Sequence, residues 1–442
     1  MAEKFDLIVR GGTVVSPPKI GIADIGVADG RIVRIEDLGT AQAGETIDAR
    51  GLHVLPGVID TQVHFREPGH EHKEDLASGT TAAVLGGVTA VFEMPNTTPP
   101  TTDADALADK LARARGRAWC DHAFFVGATA ENAADLAELE RQTGCCGVKV
   151  FMGSSTGSLL VANDRDLERV LRGGRRRVAV HAEDEARLLA RRDLRRGGDV
   201  ERHPIWRDVE AARLATERLL RLARRTGRPV HVLHVSTAEE MALLAEARDI
   251  ATVECTPQHL TLAAPDCYRR LGTYAQMNPP IREPGQRDGL WRAVTDGVVD
   301  VIGSDHAPHS RAEKDKGYPD SPSGMPGVQT LLAVMLDHVA AGRLSLERLV
   351  DLTSAGPARI YRIAGKGAIR PSNDADLTLV DLAARREISD DWIVSKCGWT
   401  PFAGMTVTGW PAATVIRGQV VMRDGALIGA PAGRPVAFED VP

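Results

Sequence analysis

The sequence predicts an α/β fold, a (β/α)8 TIM-like barrel carrying a small β-sandwich that the two chain ends build together. Apolar strand-like runs alternate with helical patterns through the middle of the chain. Short β-type runs separated by Gly, Pro and Asp-Gly turns occupy both ends. The polar side chains of the middle region gather where its strands finish. Strand–helix alternation implies a parallel sheet, and eight repeats suit a closed barrel. At 442 residues the chain has room for one large domain and a smaller one. The boundaries read as 1–54 and 365–442 for the sandwich and 55–364 for the barrel.

At the start, DLIVRGGTVV and DIGVADGRIVRI are strand-like, and Asp29-Gly30 between two alternating runs signals a hairpin. The same texture returns in ADLTLVDL and ATVIRGQVVMRDG. Barrel strands are read in HVLPGVID, VTAVFEMP, AWCDHAFFVGA, GVKVFM, RVAVHAED, PVHVLHVST, ATVECTPQHL and VDVIGSDHAP. Helical patterns at 103–114, 132–141 and 209–225 lie between several of them. Gly153–Ser158 has no phosphate-binding ending and reads as a loop after the fourth strand.

Composition excludes several classes. The chain is 43% hydrophobic and 26% charged with a net charge of -6, so it lacks the basic excess of a nucleic-acid binder. The opening segment MAEKFDLIVR does not read as a signal peptide, and no apolar run reaches the roughly 18 residues expected of a membrane span. Six cysteines without CxxC spacing read as reduced thiols, which points to the cytoplasm.

On the first barrel strand Asp60, Gln62 and His64 alternate and share one face. His181 and His234 end two later strands. Converging strand-end imidazoles suit zinc, which takes nitrogen and oxygen donors. Lys149, flanked by Val148 and Val150, points into the barrel, where an unpaired ammonium is costly. It must deprotonate, pair with a carboxylate, or be modified, for example by carboxylation to an anionic oxygen ligand. Asp305 ends the eighth strand, where a carboxylate can ligate a metal and serve as the catalytic acid–base group. A metal lowers the pKa of bound water to about 7.

The chain resembles the class I dihydroorotases of the amidohydrolase superfamily over nearly its whole length. The resemblance is carried by Leu55–Asp60, His64–Gly69, Met94–Thr97, Val148-Lys149, His181–Glu183, His234–Thr237, Asn278–Pro280 and Asp305–His309. It implies that His64, Lys149 in carboxylated form, His181, His234 and Asp305 are metal ligands. It also implies that Arg66, Asn96 and His309 hold a substrate carboxylate while Asn278 reads the pyrimidine ring. Hydantoinases, dihydropyrimidinases and allantoinases usually lack an arginine at the position of Arg66, whose guanidinium fork suits a carboxylate. The alternative for Arg66 is a salt bridge to Glu67 or another loop acid.

One position departs from the superfamily pattern: Gln62 stands where the first histidine of His-x-His belongs. A neutral amide oxygen is a weaker ligand than imidazole, so the expectation is one tightly held zinc and a second site that is weak or empty. The expected activity is interconversion of dihydroorotate and N-carbamoyl-L-aspartate by a homo-oligomer. The alternatives are a hydantoinase or other cyclic-imide hydrolase, and a non-catalytic subunit scaffolding aspartate transcarbamoylase.

Overall fold

A computed structural model describes residues 4–155 and 157–441. The opening residues of MAEKFDLIVR and Thr156 of the Gly153–Ser158 loop lie outside the described residues. The eight predicted barrel runs fold as β6 (Val58–Val63), β7 (Val88–Glu93), β8 (Asp121–Gly127), β9 (Cys145–Phe151), β10 (Val178–His181), β11 (Val230–Val232), β12 (Ala251–Cys255) and β13 (Val301–Ile302). They pair in sequence order, all parallel. The ends of this sheet meet through a bridge between Val63 and His306 and a 2.7 Å bond from the His64 N–H to the His306 carbonyl. Val148 and Val150 pack into the core shared with the surrounding helices, while Lys149 between them faces the barrel mouth.

The chain ends build a second sheet. Its strands are β1 (Phe5–Ser16), β2 (Lys19–Ala28), β3 (Arg31–Glu36), β4 (Ala43–Asp48), β5 (His53–Pro56), β14 (Leu377–Glu387), β15 (Thr406–Ile416), β16 (Gln419–Arg423) and β17 (Ala426–Leu427). They form one continuous sheet in which β5 lies between β1 and β14, joining the two chain ends. The run HVLPGVID therefore divides: His53–Pro56 belongs to this sheet and Val58 onward to the barrel. At the β2–β3 hairpin Asp29 and Gly30 have φ of 52° and 73°, the left-handed pair that a tight two-residue turn requires. The side chains of both chain ends share a core that includes Val9, Ile25, Val54, Leu377 and Val415.

Two predicted helices form nearly as read, Ala104–Ala114 capped by Asp103 and Val209–Thr226 capped by Asp208 and closed by Gly227. The third does not: only Leu136–Leu139 of 132–141 is helical. Asn132 spends its side chain on the turn, accepting from the Thr129 N–H at 2.8 Å and donating to the carbonyls of Thr102 and Gly127. Such local bonds compete with helix formation. All six cysteines are buried and unpaired. Among the described residues no helix is long and apolar enough to cross a membrane.

A buried charge cluster fastens the two sheets. Lys366 donates to Asp121, at the start of β8, at 2.7 Å and to Asp376, forms an ion pair with Asp374 at 3.1 Å, and Arg417 also pairs with Asp121. Burial works against the Lys366 ammonium, but the three carboxylates hold it above the ordinary lysine range. Removing one member of such a set strands the others. Lys366→Met is expected to lower unfolding free energy by about 3–5 kcal/mol, read by urea titration. A loss under about 1 kcal/mol would show that the cluster is not fastening the sheets.

Candidate active site

The C-terminal ends of the barrel strands open into one narrow cleft. Its wall brings together Gln62, His64, Arg66, Asn96, Lys149, His181, His234, Asn278 and Asp305. His309 is different: its ring is fully buried behind Arg66 and Gly324 and does not line the cleft. Arg66, His234 and Asp305 have positive φ of 64°, 38° and 45°. Non-glycine residues adopt that backbone at a cost, and such strain tends to cluster at functional sites.

One half of the cleft is a set of donors facing one another. His64 Nδ1 lies 2.7 Å from Asn96 Oδ1, which places the ring proton there and leaves Nε2 bare. That bare nitrogen lies 3.3 Å from Asp305 Oδ1. Two acceptors at that separation need a proton or a cation between them. The other pair is His181 and His234, with Nδ1 of the first 3.0 Å from Nε2 of the second. His181 Nε2 is held at 2.9 Å by Glu183. Burial works against that carboxylate, but Arg207 and His181 bring it down to about 2, so it is fully ionised. The buried Nδ1 of His234 and Oε1 of Gln62 have no hydrogen-bond partner. Burial lowers all three ring pKa values, which keeps the imidazoles neutral as metal ligation requires.

Lys149 links the two pairs. Burial pushes its amine down to about 7, and it forms no ion pair within 4 Å among the described residues. Its nitrogen lies 4.5 Å from the centre of the Phe151 ring. Among the described residues no three His, Cys, Asp or Glu side chains converge as a ready ligand cluster. The Lys149 charge acts on His64, His181 and His234 alike, and as an ammonium it is no ligand. Neutral or carboxylated, it completes the set. The residues present therefore fit a metal.

The other half of the cleft is cationic. Arg66 is buried, and burial brings its guanidinium down only to about 10, so it stays charged. Its Nε donates to the Pro308 carbonyl at 3.2 Å. Among the described residues it makes no ion pair. Glu67, the acid that could have neutralised it, is taken by Arg117 at 2.8 Å and by the Leu76 N–H at 3.0 Å. At the far wall Asn278 donates to Ser155 Oγ at 3.3 Å and meets His203 Nε2 at 3.0 Å. Gly69, with φ of 102°, lets the loop after Arg66 lie on Thr98, whose carbonyl a Cβ would approach to 2.2 Å.

Several residues that shape this cleft escaped the sequence reading. Glu183 stands in the His181–Glu183 motif, yet its hold on His181 is a contact that only the fold reveals. Lys73 and Lys314 carry no motif in the sequence, and Lys314 is fully buried. Ser323 and Gly324, by contrast, belong to the Pro-, Gly- and Ser-rich segment Pro319–Gly327 after the eighth strand, which the sequence marks as able to line the pocket, and they do line the cleft.

A family model described as "Amidohydrolase family" matches residues 53–421. The chain belongs to the amidohydrolase family. It is 42% identical to a dihydroorotase of Halobacterium salinarum over 427 residues, covering 94% of this chain and 99% of that protein. It is 38% identical to an allantoinase of Rubrobacter xylanophilus, covering 97% of each. Among solved structures it superposes on the L-hydantoinase of Arthrobacter aurescens with a TM-score of 0.93 at 31% identity, covering 98% of this chain and 99% of that one. These relatives span the whole architecture, barrel and terminal sheet together. Amidohydrolases generally use a metal such as zinc, in keeping with the donor set above.

Proposed function

We propose that this amidohydrolase is a dihydroorotase, interconverting dihydroorotate and N-carbamoyl-L-aspartate in the pyrimidine pathway of the cytoplasm. The observation that carries the reading is Arg66, a buried guanidinium without an anionic partner beside the metal-binding donors. A buried unpaired cation is costly, and a substrate carboxylate compensates it with paired charge-assisted hydrogen bonds. Allantoin and hydantoin rings carry no such carboxylate. The dihydroorotases of H. salinarum and Methanothermobacter thermautotrophicus, 42% and 36% identical, support the same choice.

In this reading Lys149, His181 and His234 hold one zinc, with Lys149 carboxylated. His64 and Asp305 serve a second, weaker position. Zinc, when bound, supplies Lewis-acid polarisation of a carbonyl and a more acidic water. Arg66 and Asn96 orient the substrate through its carboxylate, with His309 standing behind Arg66 rather than in the cleft, and Asn278 reads the ring amide. Asp305 takes a proton from the attacking water and delivers it to the departing ring nitrogen; in the cyclisation direction it runs the same transfer backwards. Gln62 donates to Asp305 Oδ1 at 2.9 Å, so its amide steadies the carboxylate where a histidine would ligate. The competing reading, a hydantoin- or allantoin-cleaving enzyme, is favoured by the L-hydantoinase and allantoinase likenesses. A scaffolding partner of aspartate transcarbamoylase is disfavoured by the retained donor and carboxylate sets.

The test is turnover of L-dihydroorotate, N-carbamoyl-L-aspartate, hydantoin and allantoin by zinc-supplemented protein, with bound metal measured on the same sample. We expect dihydroorotate turnover with about one tightly held zinc per chain. Two zincs surviving exhaustive dialysis would refute the weak second site. Preference for an uncharged ring would refute the dihydroorotase reading.

A further inference from the structure

The His309 ring is gripped on both edges. Its Nδ1 lies 3.2 Å from the Lys73 ammonium. Its Nε2 lies 3.1 Å from the Ser323 carbonyl oxygen and 3.3 Å from an Arg66 NH2 group. Ammonium and guanidinium groups only donate, and a carbonyl only accepts. Lys73 therefore needs a bare Nδ1, and the neutral ring then carries its proton on Nε2 and donates it to Ser323. The opposite tautomer would accept from Arg66, but it would set an N–H against the Lys73 ammonium and a lone pair against the Ser323 carbonyl. Two good contacts outweigh one. A doubly protonated ring is disfavoured by burial and by the neighbouring Arg66, Lys314 and Lys73 charges.

Each part of this grip is itself held. Lys73 is anchored by Glu313 at 2.9 Å, and Glu313 closes the capping box of the short helix Arg311–Lys314. Buried Lys314 donates to the carbonyls of Pro322 at 2.8 Å and Gly324 at 3.1 Å, on either side of Ser323. Gly324 has φ of 141°, and a Cβ there would lie 2.5 Å from the Ala307 carbonyl and 3.0 Å from His309 Nε2. Only glycine lets this strand of backbone close on the ring.

We propose that Lys73 is a positioning residue that pins His309 in its Nε2–H tautomer and so keeps His309 from capturing Arg66. The Arg66 fork then stays available to an incoming carboxylate, while the Nε2–H stays on the Ser323 carbonyl. The identity of that carboxylate rests on the dihydroorotase reading; the tautomer does not.

Neutron diffraction from deuterium-exchanged crystals of the full chain tests the tautomer directly. Deuterium on Nε2 and none on Nδ1 of His309 is the expected map, and deuterium on Nδ1 overturns the proposal. In zinc-loaded enzyme, Lys73→Met is expected to raise KM for L-dihydroorotate about tenfold, the equivalent of one lost hydrogen bond, with kcat within about threefold. Lys73→Arg, which keeps the donor, is expected to restore most of the KM. An unchanged KM in Lys73→Met overturns the proposal. Should the unsubstituted enzyme fail to turn over dihydroorotate, the functional reading falls, and the neutron map still decides the tautomer.

Discussion

Asp305→Asn is expected to lower kcat by on the order of 10³-fold in both reaction directions, with the fold intact. The substitution keeps size and shape, and asparagine Oδ1 still accepts from Gln62, whose amide lies 2.9 Å from the present carboxylate oxygen. What it removes is the proton acceptor. Asp305 has a second oxygen, Oδ2, with no hydrogen-bond partner among the described residues, in a side chain that lines the cleft. That oxygen is the one placed to exchange a proton with water and with a ring nitrogen. Zinc content, measured alongside, separates the two duties of the residue. With Lys149, His181 and His234 untouched, the tight zinc is expected to remain, so the loss appears as slow chemistry in a loaded protein. Turnover within about tenfold of the unsubstituted enzyme would remove Asp305 from the proton-transfer role.

The barrel was legible because its signals are local. Each strand is a short apolar run ended by a polar residue, and that pattern is independent of what packs against it. The site was legible for the same reason: His181 ends β10, while His64, His234 and Asp305 follow the last residues of their strands, so position along the chain fixes position at the barrel mouth. The helix read over 132–141 failed on a competing local bond, since the Asn132 side chain closes a turn where the periodicity suggested a helix. Glu183, Lys73 and Lys314 were illegible in another way. Their roles are contacts between segments far apart in sequence, such as Lys73 with His309 and Glu313. Nothing in a charged run distinguishes a buried lysine that holds carbonyls from one in water. His309 shows the limit from the other side: the motif Asp305–His309 marked it, and the fold sets it behind the cleft wall.

Arg66→Met is expected to raise KM for dihydroorotate about 100-fold, leave kcat within about tenfold, and leave stability unchanged or improved. The combination matters more than any one part. If Arg66 were a structural cation paired with a loop acid, its loss would strand that acid and destabilise the protein by about 3–5 kcal/mol. Its candidate partner Glu67 is already satisfied by Arg117 and the Leu76 N–H, so no anion is stranded. Methionine fills similar space without a buried charge, and the desolvation cost of the guanidinium disappears with it. Binding should suffer where stability does not, because the carboxylate loses a charge-assisted fork. Hydantoin, which offers no carboxylate to that fork, serves as the control: its turnover, however low, should not fall. A lowered melting temperature with an unchanged KM would return Arg66 to a structural role and withdraw the feature that separates a dihydroorotase from its hydantoinase and allantoinase relatives.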